Sequence, residues 1–161
     1  MSAVHCIVFD EARHSILLVK RRDVPVWVLP GGGIDANETP EEAARREVLE
    51  ESGYTVTIVR KIAEYLPVNK LTKPTHFFEG RVISGSPRTS SESSAVVFFP
   101  LDRLPKDFPH FYRYWIEDAL LNSPEVLRKK IRGVSYWMLV KLLILHPVLV
   151  TRFLLTKLKK R

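Results

Sequence analysis

Three glutamates, Glu47, Glu50 and Glu51, are the residues whose types and spacing most plainly suggest chemistry. On a helix, positions 47, 50 and 51 fall within one arc of about 100°. Three like charges side by side repel and cost an ordinary surface helix stability. A hard divalent cation reverses that cost, because it draws oxygen ligands of this kind. The alternative is a solvated acidic face balanced by Arg45 and Arg46. Flanking residues specify the helix itself. Thr39 is an N-cap residue, Pro40 suits the first helical position, and Glu42, three residues after Thr39, completes a capping box. Gly53 sits where a left-handed residue ends a helix, so the pattern predicts a helix over residues 40–52. Ala44 and Val48 form the apolar stripe that seats it on a core. Ahead of it, Gly31, Gly32 and Gly33 read as a turn whose backbone can pass close to a ligand and direct carbonyls at it.

The order is Gly32, five residues, Glu38, seven residues, then Arg46-Glu-Val-Leu-Glu-Glu-Ser-Gly-Tyr54. This resembles the signature of the Nudix hydrolase family: G, five residues, E, seven residues, then R-E-U-x-E-E-x-G-U, where U is a bulky aliphatic residue. Every fixed position matches. Tyr54 departs from the usual aliphatic residue at a position that packs rather than reacts.

The resemblance covers residues 3–121 and implies an α/β (α+β) fold, the family's α/β/α sandwich on mixed β-sheet. It implies an Mg2+-dependent enzyme, with Mn2+ as a substitute, that hydrolyses a phosphoanhydride in a nucleoside diphosphate linked to another group. Glu47, Glu50 and Glu51, joined by the carbonyl of Gly31, are the implied metal ligands, and Arg46 orients them, with Glu38 alongside. Glu92, at a characteristic offset before Phe98-Phe-Pro-Leu101, is implied as a further ligand or as the base that activates water. Arg22, in the run Lys20-Arg-Arg22, occupies a place near the substrate in similar proteins. Trp27 is either core or a stacking surface for a base. Family members that cleave ADP-ribose carry a Pro farther beyond the signature than Pro67, and the dinucleoside polyphosphate group carries a Tyr near the position of Leu71. Neither marker is met, which turns the expectation to a nucleoside triphosphate pyrophosphatase. The alternative class is a binding or regulatory module on the same scaffold.

The elements that must position these residues read as follows. Residues 3–9 and 16–20 are strands of a hairpin, and 26–29 is a short strand ended by Pro30. Residues 55–59 and 62–66 make one long or bent strand, followed by strands at 75–83 and 95–99. The stretch 84–94, rich in Ser, Gly and Pro, is a loop that carries Glu92. One helical turn is expected at 101–104 and an amphipathic helix at 109–121.

At 161 residues, with 45% hydrophobic and 27% charged content, the chain is one globular domain with an appendage. The single Cys6 excludes an intramolecular disulfide and supports neither a thiol mechanism nor a zinc site. The N-terminus has no secretory pattern, so a reducing cytoplasm is expected. Charge divides the sequence. Residues 1–125 hold fifteen basic and eighteen acidic residues, and residues 126–161 hold ten basic and no acidic ones. The expected organisation is therefore a Nudix domain over 1–125 and a basic, apolar helical extension over 126–161. The uncharged stretch 142–151 is far short of the roughly 20 residues that span a bilayer, and Pro147 interrupts it. A basic amphipathic helix suits an anionic membrane surface, placing the protein at the inner face of a membrane; packing on the domain or a homodimer interface are equal alternatives. Nucleic acid ranks low as a partner, because few polar donors interleave the apolar residues.

Overall fold

The structure is a computed structural model and describes residues 2–135 and Trp137; the helix expected across most of the C-terminal extension lies outside them. In chain order the elements are β1 (Ala3–Val8), β2 (Ser15–Arg21), β3 (Trp27–Val28), β4 (Gly31–Gly33), α1 (Pro40–Ser52), β5 (Tyr54–Leu66), β6 (Thr75–Gly85), β7 (Ser93–Pro100), α2 (Phe111–Leu120) and β8 (Leu127–Lys130). Five strands form one sheet in the order β4-β1-β6-β5-β8, and three form a second in the order β3-β2-β7. The first sheet is mixed, with β1 parallel to β6 and β8 parallel to β5.

Strand periodicity explains the layering. Val4, Cys6 and Val8 of β1 join Ala43, Ala44 and Val48 of α1 in one cluster, while Ile7 joins Tyr112, Trp115 and Ile116 of α2 in another. Alternate side chains face opposite ways, so β1 is buried on both faces and a helix covers each. Each fully buried Val, Ile or Phe contributes about 1.5–3 kcal/mol. The α/β/α sandwich with mixed sheet follows as expected.

Four details differ from the expectations. The anticipated hairpin of residues 3–9 and 16–20 splits. Only a single bridge, Phe9 to Ile16, joins the two strands, and they continue into different sheets. The three glycines are not a free turn but strand β4, paired antiparallel with β1. Their lack of side chains permits this, because a Cβ on Gly31 would stand 2.3 Å from the carbonyl oxygen of Val4. Residues 101–104 make a turn rather than a helical turn, closed by the Arg103 amide donating to the Pro100 carbonyl at 3.0 Å. The extension expected to start as helix at 126 begins instead as β8, at the edge of the larger sheet. Leu127 and Ile131 pack into the α2-side cluster, which leaves Arg128 and Lys130 outward.

The long strand β5 is continuous through 54–66 but bulged against β6 at three places, which is how so long a strand bends around a core.

Candidate active site

The start of α1 is fixed locally. The Glu42 amide donates to the Thr39 hydroxyl at 3.3 Å, and the Thr39 amide donates to the Glu42 carboxylate at 2.8 Å, a reciprocal capping box. Gly53 ends the helix at φ 79°, its amide donating to the Leu49 carbonyl at 2.9 Å.

From that helix Arg46 hydrogen-bonds to four partners. Nε and Nη2 each donate to Glu38 at 2.9 Å, a fork on one carboxylate. Nη1 donates to Glu47 Oε1 at 2.9 Å and to Glu50 Oε2 at 3.2 Å, and Nη2 also donates to the Gly33 carbonyl at 3.0 Å. These bonds, those to Glu38 above all, raise the pKa of Arg46 further still. Glu47 lies against Gly32 so closely that a Cβ there would come within 2.4 Å of Oε1. The glycine at this position makes room for the carboxylate.

Glu51 is only 6% exposed. Its Oε2 accepts from the Gly31 amide at 3.0 Å, tying α1 to β4. Burial pushes its pKa up from 4.5 to about 8, against the pull of that amide; the charges of Glu47 and Glu92 push the same way, and Arg21 pulls back. Glu47 is likewise raised, chiefly by burial, with Glu50 and Glu92 adding repulsion against the Arg46 bonds. Thus α1 and the loop before β7 bring four carboxylates, Glu47, Glu50, Glu51 and Glu92, into one electrostatic neighbourhood.

Glu51 differs from the other buried acids. Glu79 is paired with Arg13 and Arg60, and Asp118 with Lys129 and the Tyr65 hydroxyl. Among the described residues, Glu51 has a main-chain amide and the attraction of Arg21 without an ion pair. Buried charges are ordinarily paired or bound to a metal, so this carboxylate is undercompensated. Glu47 Oε2, Glu50 Oε1 and Glu51 Oε1 take no part in the hydrogen bonds above and are hard oxygen donors. Among the described residues no three His, Cys, Asp or Glu side chains form a ready-made cage. The donors fit an ion that keeps water and takes ligand phosphates to complete its shell, which is how Mg2+ is usually held.

The two arginines at the end of β2 are held by different partners. Arg21 is the residue whose charge reaches Glu51 and Tyr112, from a fork on Asp23 at 2.5 and 2.9 Å. Arg22 instead donates Nε to the Ser90 carbonyl at 2.8 Å, on the loop that carries Glu92. Trp27 is 9% exposed, packed edge-on to Phe99 at 4.7 Å, with the Lys20 ammonium over its ring. It is core here rather than an open stacking face.

Sequence reasoning did not single out His5, Tyr112 or Ser93. His5 sits edge-on to Tyr112 and Trp115, with Nδ1 3.3 Å from the Leu29 carbonyl, and burial lowers its pKa to about 4, so it is neutral. Ser93 is buried and donates to the Glu51 carbonyl at 2.6 Å. No local pattern marks these residues, because their partners lie on other elements.

A two-sheet α+β domain with carboxylates gathered on one helix beside a glycine strand is the class that fold and site define. The family model described as "NUDIX domain" matches residues 1–119. Over 100 residues the chain is 42% identical to a Bacillus subtilis (strain 168) protein named "Putative 8-oxo-dGTP diphosphatase", covering 62% of this chain and 66% of that one, just under two thirds of its length. Over 115 residues it is 36% identical to a Danio rerio protein named "Oxidized purine nucleoside triphosphate hydrolase", covering 69% and 68% of the two chains. Among solved structures, a NUDIX hydrolase from Nitrosomonas europaea aligns with a TM-score of 0.69 at 25% identity, over 81% of this chain and 77% of that one. An ADP-ribose pyrophosphatase from Streptococcus suis 89-1591 aligns with a TM-score of 0.64 at 26% identity, over 80% and 97%. The chain belongs to the Nudix hydrolase family.

Proposed function

We propose that the protein hydrolyses a phosphoanhydride bond of a nucleoside triphosphate at the face formed by Glu47, Glu50, Glu51 and Glu92. The observation that carries this reading is Glu51, a buried carboxylate with no cationic side chain among the described residues in contact, beside Gly31 and in the field of Glu47 and Glu92. The names of the Bacillus and Danio relatives favour a triphosphate. An ADP-ribose-like diphosphate is the nearest competitor, on the name of the Streptococcus structure. Mg2+, or Mn2+ in its place, held by Glu47, Glu50, Glu51 and the Gly31 carbonyl, would supply withdrawal of negative charge from the diphosphate.

The chain's own residues do the rest. Glu92 takes a proton from water as its oxygen bonds to phosphorus and the bridging P–O bond breaks, leaving pyrophosphate or phosphate and the nucleotide product. Arg46 fixes the rotamers of Glu47 and Glu50 through its fork on Glu38. Arg21 adds positive potential on the side where phosphates approach. The test is product release from a panel of nucleoside triphosphates, ADP-ribose, diadenosine polyphosphates and a nucleotide sugar with Mg2+, for wild type and Glu51→Gln. Turnover of one class that collapses in the variant supports the reading. A folded wild type that turns over none of them, or a variant as active as wild type, removes it.

For the basic end of the chain we infer attachment to an anionic membrane surface. Arg128, Lys130 and Arg132 are exposed on and just after β8, and Trp137 is 67% exposed; basic residues beside an exposed Trp suit a headgroup layer. No helix among the described residues is long and apolar enough to cross a membrane. Salt-sensitive co-sedimentation with phosphatidylglycerol vesicles, absent with phosphatidylcholine, is the expected result. A chain that ignores both and sediments as a dimer would assign this end to self-association.

A further inference from the structure

Glu92 lies in a loop, with no helix to fix its direction, yet its charge is felt by both Glu47 and Glu51. Two serines and an arginine hold that loop. The Ser93 hydroxyl donates to the Glu51 carbonyl at 2.6 Å and accepts from the Ser90 amide at 3.0 Å. The Ser90 hydroxyl accepts from the amides of Glu92 and Ser93, each at 3.1 Å, closing a tight turn around Glu92. From the end of β2, the Arg22 amide donates to the Glu92 carbonyl at 2.9 Å, and its Nε to the Ser90 carbonyl at 2.8 Å. The Arg88 amide donates to the Ser52 carbonyl at 2.8 Å.

The last carbonyls of a helix have no partner within it. Here those of Glu51 and Ser52 are satisfied by Ser93 and Arg88, from either side of Glu92. The loop that carries Glu92 is thus also the cap of the helix that carries Glu51.

We propose that Ser93, with Ser90 and Arg22, is a positioning residue that sets the Glu92 carboxylate against Glu51, so that the proton acceptor and the buried carboxylate move as one body. The inference rests on the hydrolase reading above for the task of Glu92.

The test compares wild type, Ser93→Ala, Glu92→Gln and the double variant by kcat and KM on the panel compound that is turned over, and by hydrogen exchange without substrate. Ser93→Ala should lower kcat about tenfold to a hundredfold with KM within about twofold. In the Glu92→Gln background the same change should cost less than about twofold, because its effect runs through Glu92. The amides of Ser90 and Glu92 should exchange faster in Ser93→Ala, while that of Val48 stays protected. If Ser93→Ala fails to fold, Ser90→Ala removes the acceptor of the Glu92 amide without touching the Glu51 carbonyl, and the same results are expected. Equal factors in both backgrounds, an unaltered kcat in Glu92→Gln, or unchanged protection of the loop would overturn the proposal. A wild type inactive on the whole panel would overturn the hydrolase reading and with it the purpose of the clip, while exchange would still report whether the clip exists.

Discussion

Helix α1 and the loop of residues 86–92 hold their glutamates by opposite means. Along α1, Glu47, Glu50 and Glu51 are set by the helical repeat, by a capping box at Thr39 and by Gly53 at the far end. All of that information lies within a dozen or so residues, and it is legible in the sequence. Glu92 is set by Ser93 on the Glu51 carbonyl and by Arg22 on the Ser90 and Glu92 carbonyls, partners that lie far away along the chain. A helix carries its own ruler; a loop borrows one from the elements it touches. The helix end should therefore tolerate damage at its start better than damage where the loop is fastened.

The largest effect is expected where the two segments meet. Glu51→Gln keeps the shape and the bond from the Gly31 amide but removes the charge, and should lower kcat by about a thousandfold or more. The same variant should reveal the strain of burying that charge. With the folded pKa near 8 against an ordinary 4.5, the metal-free folded state holds a proton between those values that the unfolded state releases. Glu51 therefore makes the metal-free protein less stable as pH rises from about 4.5 to 8, opposed up to about pH 6.5 by buried His5 with its lowered pKa, and Glu51→Gln should lose the Glu51 contribution. Urea melts at pH 5 and pH 8 with chelator present would measure it. A slope unchanged in the variant would place the shifted group elsewhere.

Gly32→Ala comes next. Its Cβ would stand 2.4 Å from Glu47 Oε1, and the carboxylate must move off its bond with Arg46. A displacement of about an ångström at a reacting group costs on the order of a hundredfold, while the melt should stay cooperative. If kcat is unaffected, Glu47 has no fixed place in the reaction.

How much was legible follows the same division. Helix α1 and the strand bounds emerged from periodicity and caps, because those rules act over a few residues. The split of the expected hairpin into two sheets did not, since nothing local tells Ile16 whether the strand beside it is β1 or β7. Nor did β4, where glycines that resemble a turn run extended against β1 and only at Gly31 do Val4 and His5 leave no room for a side chain. In the run Lys20-Arg-Arg22 the strand ends at Arg21 with a register irregularity, and only the placement of Asp23, Glu51 and Ser90 shows what each arginine holds. At Trp27 the sequence leaves core and stacking surface open, and Phe99 and Lys20 enclose the ring.

Arg46→Lys tests the geometry of the helix side with its charge held constant. A lysine cannot fork onto Glu38 while also holding Glu47 and Glu50. Cation affinity measured by calorimetry should fall about tenfold, with kcat falling in step at limiting Mg2+ and recovering in part at saturation. A variant with wild-type affinity would reduce Arg46 to a surface counter-charge.

Thr39→Ala is expected to do least to activity, and it isolates the start of the helix from its end. The substitution removes the hydroxyl that accepts from the Glu42 amide and frees the Glu42 carboxylate from one of its bonds. Loss of such a cap costs about 1 kcal/mol, which a denaturant melt resolves. Yet Glu47 and Glu51 lie two to three turns farther on, fastened by Arg46, by the Gly31 amide and, through the Glu51 carbonyl, by Ser93. Fraying at the first turn need not reach them, so kcat should stay within about twofold of wild type. If Thr39→Ala instead lowers kcat as far as Ser93→Ala, the tertiary fastenings do not isolate the carboxylates, and the helix responds as a single rod.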